Sequence, residues 1–191
     1  MNIIQSNIAN LPTKHGKFRI KAYKQDNQEH LAIMSEDFEN IEAPYVRIHS
    51  ECLTGDTLGS LKCDCQNQLN LSLDFIAKQG GLIIYHRQEG RNIGLLNKVN
   101  AYCLQDQGRN TIEANLELGF GEDDRDYSVV EYIFNDLNVK KIKLITNNPK
   151  KIDYVESLGV TIVERIPAIT ESNVYNEHYL KTKKDQMGHM L

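Results

Sequence analysis

Two short strand-like runs, residues 82–86 and 142–146, constrain this chain more than any other feature. Each leads into a polar segment that opens a helical pattern. Strand, polar turn, helix and strand in succession build a parallel sheet, and such crossovers are right-handed. Residues 82–86 are almost wholly apolar, as a strand buried on both faces requires. A helix is predicted over 93–107, closed by Gly108. Another spans 127–137, with Val129, Val130, Ile133, Phe134 and Leu137 on one stripe. After strand 142–146, Asn148 caps a helix whose first residue is Pro149, and Gly159 stops it before strand 160–166.

The earlier part of the chain reads differently. Residues 17–23 alternate, placing Phe18, Ile20 and Ala22 on one face. A turn cluster at 25–28 follows, with further strands at 31–34 and 45–49. A helix at 66–78 shares Leu69, Leu73, Ile76 and Ala77 on one face and ends at Gly80-Gly81. The expected fold is therefore α/β: a single domain with a mixed sheet, β-rich at the N-terminal side and β-α-β at the C-terminal side. A length of 191 residues suits one domain. A short helix at 177–185 carries many lysines, so about residues 170–191 read as a solvated helix or a flexible tail.

Cys52, Cys63 and Cys65 form Cys-x10-Cys-x-Cys among four cysteines. No apolar run approaches the ~20 residues that span a bilayer, and residues 1–12 lack the basic-then-apolar pattern of a signal peptide. A cytoplasmic location is expected, where thiols stay reduced and read as metal ligands or core before disulfides. If the 63–65 segment is extended, its two thiols point to one side, and Cys52 returns across the intervening loop. Thiolates favour zinc, and three of them leave one tetrahedral position for water, whose pKa the metal lowers. Two alternatives stand beside this: buried apolar cysteines, or a closed structural site with Cys103 as fourth ligand. Cys103 itself reads as core.

The polar segments after the two strands are Arg87-Gln-Glu-Gly-Arg-Asn-Ile-Gly94 and Asn147-Asn-Pro-Lys-Lys151. Ligands of open α/β sheets bind beyond the carboxyl ends of strands, and helix N-termini attract anions. Arg87 and Arg91 are candidates to fork onto phosphate oxygens, with Lys151 adding a point charge. The plainer alternative is solvated cations on ordinary turns. Neither a P-loop nor a dinucleotide fingerprint is present. A net charge of −4 weighs against a nucleic-acid partner.

Longer motifs narrow the reading. Arg47-Ile-His-Ser-Glu-Cys-Leu-Thr-Gly-Asp56 with Leu61-Lys-Cys-Asp-Cys65 resembles the GTP cyclohydrolase II signature. So do Tyr85 to Lys98, Thr146 to Lys151 and Asn176-Glu-His-Tyr-Leu180. The resemblance, from about Leu11 onward, implies the stand-alone form, without a fused dihydroxybutanone phosphate synthase domain. It implies one zinc per subunit on Cys52, Cys63 and Cys65, and magnesium with the triphosphate. It implies GTP contacts at Arg47, Ile48, His49, Ser50, Glu51, Gln68, Glu89, Gly90, Arg91, Thr111, Thr146 and Lys151. Asp123 matches a general base, Arg125 a nucleophile and Tyr102 a tyrosine near the chemistry. The implied reaction hydrolyses GTP to 2,5-diamino-6-(5-phosphoribosylamino)pyrimidin-4-one, formate and diphosphate, the first committed step of riboflavin biosynthesis. A homodimer is also implied.

Elementary chemistry leaves the role of Arg125 open. A guanidinium has no lone pair to offer, so a covalent guanylyl intermediate needs Asp123 to take a proton as the bond forms. The alternatives are an electrostatic clamp, or a solvated charge run at residues 122–126. Tyr102 is equally a structural tyrosine by periodicity. Glu113 is a candidate to accept from guanine N1–H and N2–H2. Rival functions are an enzyme that stops at the ring-opened formamide triphosphate, an idle GTP-binding module, and a zinc-stapled nucleic-acid binder.

Overall fold

The computed structural model describes residues 2–121 and 123–190. Among these, eight strands form one sheet: β1 (Ile3–Gln5), β2 (Ala9–Thr13), β3 (Gly16–Gln25), β4 (Gln28–Ser35), β5 (Tyr45–Ser50), β6 (Gly81–His86), β7 (Lys141–Ile145) and β8 (Thr161–Ile166). Their order is β1-β3-β4-β6-β5-β7-β8, with β2 also paired to β3. The helices are α1 (Leu53–Asp56), α2 (Cys65–Gln79), α3 (Gly94–Asp106), α4 (Thr111–Glu117), α5 (Ser128–Asp136), α6 (Pro149–Ser157) and α7 (Glu177–Met187).

The expected mixed α/β sheet is present. The β1, β2, β3, β4 and β6 pairings are antiparallel, whereas β6, β5, β7 and β8 run parallel. The turn cluster closes β3 onto β4 as a two-residue hairpin, Gln25 facing Gln28, with Asp26 at φ 52°. Aspartate tolerates that left-handed conformation better than most residues. Gly81 is required by close approach: a Cβ there would lie 2.1 Å from the Tyr45 carbonyl oxygen across β5.

The period-two patterns decide which helix covers which face. Leu82, Ile84, Val46 and Ile48 face α5 and α6, packing on Val129, Val130, Ile133, Phe134 and Val155. Phe18, Ile33 and Ile83 face the other way, onto Ile76, Leu69, Leu73 and Ala77 of α2. Asn148 caps α6 as expected, accepting from the Lys150 N–H at 3.0 Å, with Pro149 first in the helix. Because β5, β6 and β7 are parallel, the segments beginning at Glu51, Arg87 and Thr146 emerge at one edge of the sheet. Among the described residues, no helix is long and apolar enough to cross a membrane.

Candidate functional site

At that edge lies a cavity with about 1160 Å³ of atom-free space, counting its open mouth. Cys52, Cys63 and Cys65 form one end of it, their sulfurs all within 4.8 Å of one another. The geometry differs from an extended Cys-x-Cys. Residues 61–64 turn, and Cys65 is the first residue of α2, so the two thiols meet through a turn-to-helix junction. Gly55 in α1 makes room: a Cβ there would lie 2.8 Å from Cys63 Sγ and 3.0 Å from Cys52 Sγ. Cys103 is neither the fourth member nor core. It is exposed on the outer side of α3, because the inner side is taken by Lys98, Ala101 and Tyr102.

The thiols are not equivalent. Cys52 is pushed down by hydrogen bonds from the Cys63 and Cys65 thiols, against burial and with help from the Lys98 ammonium. Cys63 rises to about 11, because it donates to Cys52, and Cys65 is held well above its ordinary range by hydrogen bonds with Cys52 and Cys63 and by burial. A bound dication would favour the thiolate form of all three. Around it, Lys98 Nζ donates to Cys52 Sγ at 3.1 Å and to Glu89 Oε1 at 2.6 Å. Glu89 also accepts the Leu53 N–H at 2.6 Å. Asp56 ties the loop together, contacting His49 Nε2 at 3.1 Å and accepting from the Tyr85 hydroxyl at 2.8 Å and the Cys52 N–H at 3.0 Å. The Tyr102 hydroxyl lies 3.0 Å from Thr54 Oγ1, with Lys62 and Lys98 near its ring.

The rest of the cavity includes a cationic region. Arg47 is buried, donating to the Ile145 carbonyl at 3.0 Å and to Gln68 Oε1 at 2.5 Å. Lys151 donates to the Ile48 carbonyl at 2.7 Å. Burial, then the charges of Arg125 and Arg47, hold the Lys151 ammonium well below its ordinary range. A bound anion would relieve that repulsion. Arg125 donates from Nη1 to Ser50 Oγ at 2.8 Å, from Nε to Asp123 Oδ1 at 2.7 Å, and from Nη2 to Asp123 Oδ2. Burial opposes its charge, but the Asp123 hydrogen bonds prevail and raise its pKa. The loop after β6 is strained, with Gly90, Arg91 and Asn92 all at φ of 62° to 75°. Asn92 is held there by Gln28 and by the Asp124 carbonyl, each at 3.1 Å. Two such non-glycine residues cost about 1–3 kcal/mol each, a strain typical of functional loops.

The structure brings most of the sequence candidates to this cavity. Arg47, His49, Ser50, Glu51, Gln68, Glu89, Gly90, Arg91, Tyr102, Thr111, Arg125, Thr146 and Lys151 line it, with the three cysteines. Asp123 sits behind Arg125 rather than on the wall. Ile48 offers only its carbonyl, because its side chain is in the core. Arg87 points elsewhere, exposed and paired with Glu51 at 3.2 Å outside the cavity. Glu113 is exposed and accepts the Asn110 N–H at 2.9 Å, closing a capping box on α4. Within the acidic run, Glu122 lies outside the described residues.

Other lining residues escaped sequence reasoning. They include Lys98 of α3 and Asn115 of α4, neither of which stands out by local spacing. Lysine-rich α7 turns Tyr179, Lys183 and Met187 inward, with Lys183 Nζ 3.1 Å from Asp64 and 4.2 Å above the Tyr179 ring. The following segment is pinned by the Met190 N–H to the Asn147 carbonyl at 2.9 Å. The intact Asn-Glu-His-Tyr-Leu motif was the available signal that this end of the chain belongs to the site.

Residues 5–167 match the family described as GTP cyclohydrolase II. The chain is 58% identical over 192 aligned positions to a GTP cyclohydrolase-2 of Campylobacter fetus, covering 100% of this chain and 97% of that protein. It is 53% identical to the GTP cyclohydrolase-2 of Buchnera aphidicola subsp. Schizaphis graminum, covering 100% and 99%. It is 51% identical to a riboflavin biosynthesis protein RibBA of Chlorobium phaeovibrioides, covering 96% of this chain and 45% of that protein.

Proposed function

The chain belongs to the GTP cyclohydrolase II family of hydrolases, and from that membership we propose that it opens and dephosphorylates GTP for riboflavin synthesis. The products are 2,5-diamino-6-(5-phosphoribosylamino)pyrimidin-4-one, formate and diphosphate. The observation that carries this reading is one cavity holding both a three-thiol cluster and a buried, mutually repelling group of cations. The first suits ring chemistry and the second suits a triphosphate.

The donor set fits zinc: three convergent thiols in a cradle that a single Cβ at Gly55 would fill. Cys52, Cys63 and Cys65 would hold the zinc, which would supply Lewis acidity for the hydrolytic opening of the guanine ring. Lys98 holds Cys52 and Glu89 in place around that end. Tyr102, anchored to Thr54 beside it, orients the opening ring and exchanges a proton with it. Arg47, Arg91 and Lys151 bind the triphosphate, and magnesium would accompany it and neutralise part of its charge. Gln68 holds Arg47, and Thr111 and Thr146 contribute hydroxyls.

Arg125 acts at the α-phosphate. Its doubly bonded pairing with Asp123 keeps the guanidinium charged, which favours an electrostatic clamp on the leaving diphosphate. A covalent arginine–phosphorus bond would need Asp123 to accept a proton first. Quenched turnover of α-labelled GTP separates the two. Label on the protein that vanishes in Arg125→Ala overturns the clamp.

The protein acts in the cytoplasm as a homodimer. The outer side of α3 leaves Leu95, Leu96 and Val99 uncovered, Leu96 at 74% exposure, and a second copy would shield such a stripe. Light scattering of the purified chain checks it. The functional test is mass spectrometry of zinc-loaded protein incubated with GTP and magnesium. Formate, diphosphate and the diaminopyrimidine monophosphate support the full reading. A ring-opened triphosphate removes the phosphate-cleaving role of Arg125, and intact GTP reduces the protein to a binding module.

A further inference from the structure

The cavity has an uncharged wall opposite in character to its cationic part. Asn115 of α4 lines it and is, as a residue, only 3% exposed. Its amide has no hydrogen-bond partner among the described residues, although its own backbone carbonyl is satisfied by the Phe120 N–H at 3.0 Å. Thr111, one helical turn earlier, lines the same cavity, as does Gln105 of α3. None of these three carries a charge. The amide is open to the cavity and free to pair there, so this wall suits a ligand that supplies both a donor and an acceptor.

Taken with the proposed reaction, on which this step rests, the other parts of the cavity are already assigned by chemistry. Phosphates seek the cations, and the ring carbon under attack must face the thiol cluster. The remaining uncharged parts of the nucleotide are the ribose hydroxyls and the hydrogen-bonding edge of the base, and a flat amide matches the edge, where a donor and an acceptor stand side by side. We infer that Asn115 reads this edge, accepting from guanine N1–H through Oδ1 and donating to O6 through Nδ2. Asn115 thereby takes the specificity role that Glu113 cannot fill, since the Glu113 carboxylate is spent on the α4 cap. A carboxylate could accept from N1–H but would meet O6 with a second oxygen, whereas an amide matches both atoms.

The test pairs a deletion on the protein with a deletion on the ligand. Purine ribonucleoside 5′-triphosphate keeps the ring and phosphates but lacks O6 and N1–H. For Asn115→Leu, kcat/KM for GTP is expected to fall about 10- to 100-fold. The inhibition constant of the purine triphosphate should stay within about twofold, since it has no edge to lose. Asn115→Asp, nearly the same size, keeps the acceptor and loses the donor, and should lose at least about tenfold on GTP with an unchanged thermal midpoint. Equal losses for GTP and the purine triphosphate would make Asn115 merely structural and overturn the inference. So would GTP turnover within about threefold of wild type in both variants. Wild-type protein that leaves GTP unaltered sinks the functional reading instead, so the two failures are distinguishable.

Discussion

Replacing Gly55 by alanine adds one methyl group at the point where the thiols converge. Gly55 does not occupy the left-handed region, so alanine costs nothing in backbone conformation and isolates the steric effect. The new Cβ would lie 2.8 Å from Cys63 Sγ, 3.0 Å from Cys52 Sγ and 3.0 Å from Cys65 Cβ. Contacts between such atoms are comfortable at about 3.5–4.0 Å, so each overlap approaches 1 Å. Overpacking on this scale costs about 1–3 kcal/mol. In metal-free protein the Cys52 and Cys63 thiols relieve their two contacts by rotating away, leaving only the Cys65 Cβ contact, so the larger penalty falls on the metal-bound state. That corresponds to zinc held about 5- to 150-fold more weakly. The assay is competition against a chromophoric chelator, with metal content by mass spectrometry and melting of the metal-free protein as control. Unchanged zinc affinity in Gly55→Ala, with an unchanged metal-free melting point, would refute the convergent-thiol cradle.

Other outcomes follow from the same structure. Burial holds the stacked pair His30 and His86 neutral, with pKa values lowered from 6.5 to about 4 and about 3. Unfolding releases both rings to their ordinary range, so their stabilisation is complete above pH 6.5 and is lost as pH falls towards 4. The unfolding free energy from urea titration should drop across that window by up to about 1.4 kcal/mol per pH unit per histidine, and a flat profile would contradict it. Lys183→Met leaves the buried Asp64 carboxylate without its ammonium and should destabilise the fold by about 3 kcal/mol in denaturant titration. Arg87→Ala should change kcat/KM for GTP less than about twofold, because its side chain is exposed, pairs with Glu51 and lies outside the cavity. A large loss there would return Arg87 to the phosphate site.

Local regularities were legible in the chain itself. The alternation at Phe18, Ile20 and Ala22, the Asn148-Pro149 helix start and the valine-isoleucine stripe of α5 each report a neighbour a few residues away. Those relations hold before any packing. Cys103 shows where that reasoning stops. Apolar neighbours along a helix suggest burial, but which side of α3 faces inward depends on what α3 packs against. Glu113 shows the same limit, since a carboxylate at the third position of a helix has a local use that competes with any ligand.

The sequence by itself determined the class of sheet, the helix termini, the trio of thiols and the polar segments at the strand ends, because these depend on residue type and short-range spacing. Tertiary structure alone decided that β5, β6 and β7 run parallel, so that three segments distant in the chain open onto one cavity. It decided that Lys183 and Tyr179, on a helix rich in lysine, turn inward, and that Asn115 rather than Glu113 faces the cavity. Long-range pairing sets these directions, and the burial of one face against another is a property of the assembled fold, not of any single segment.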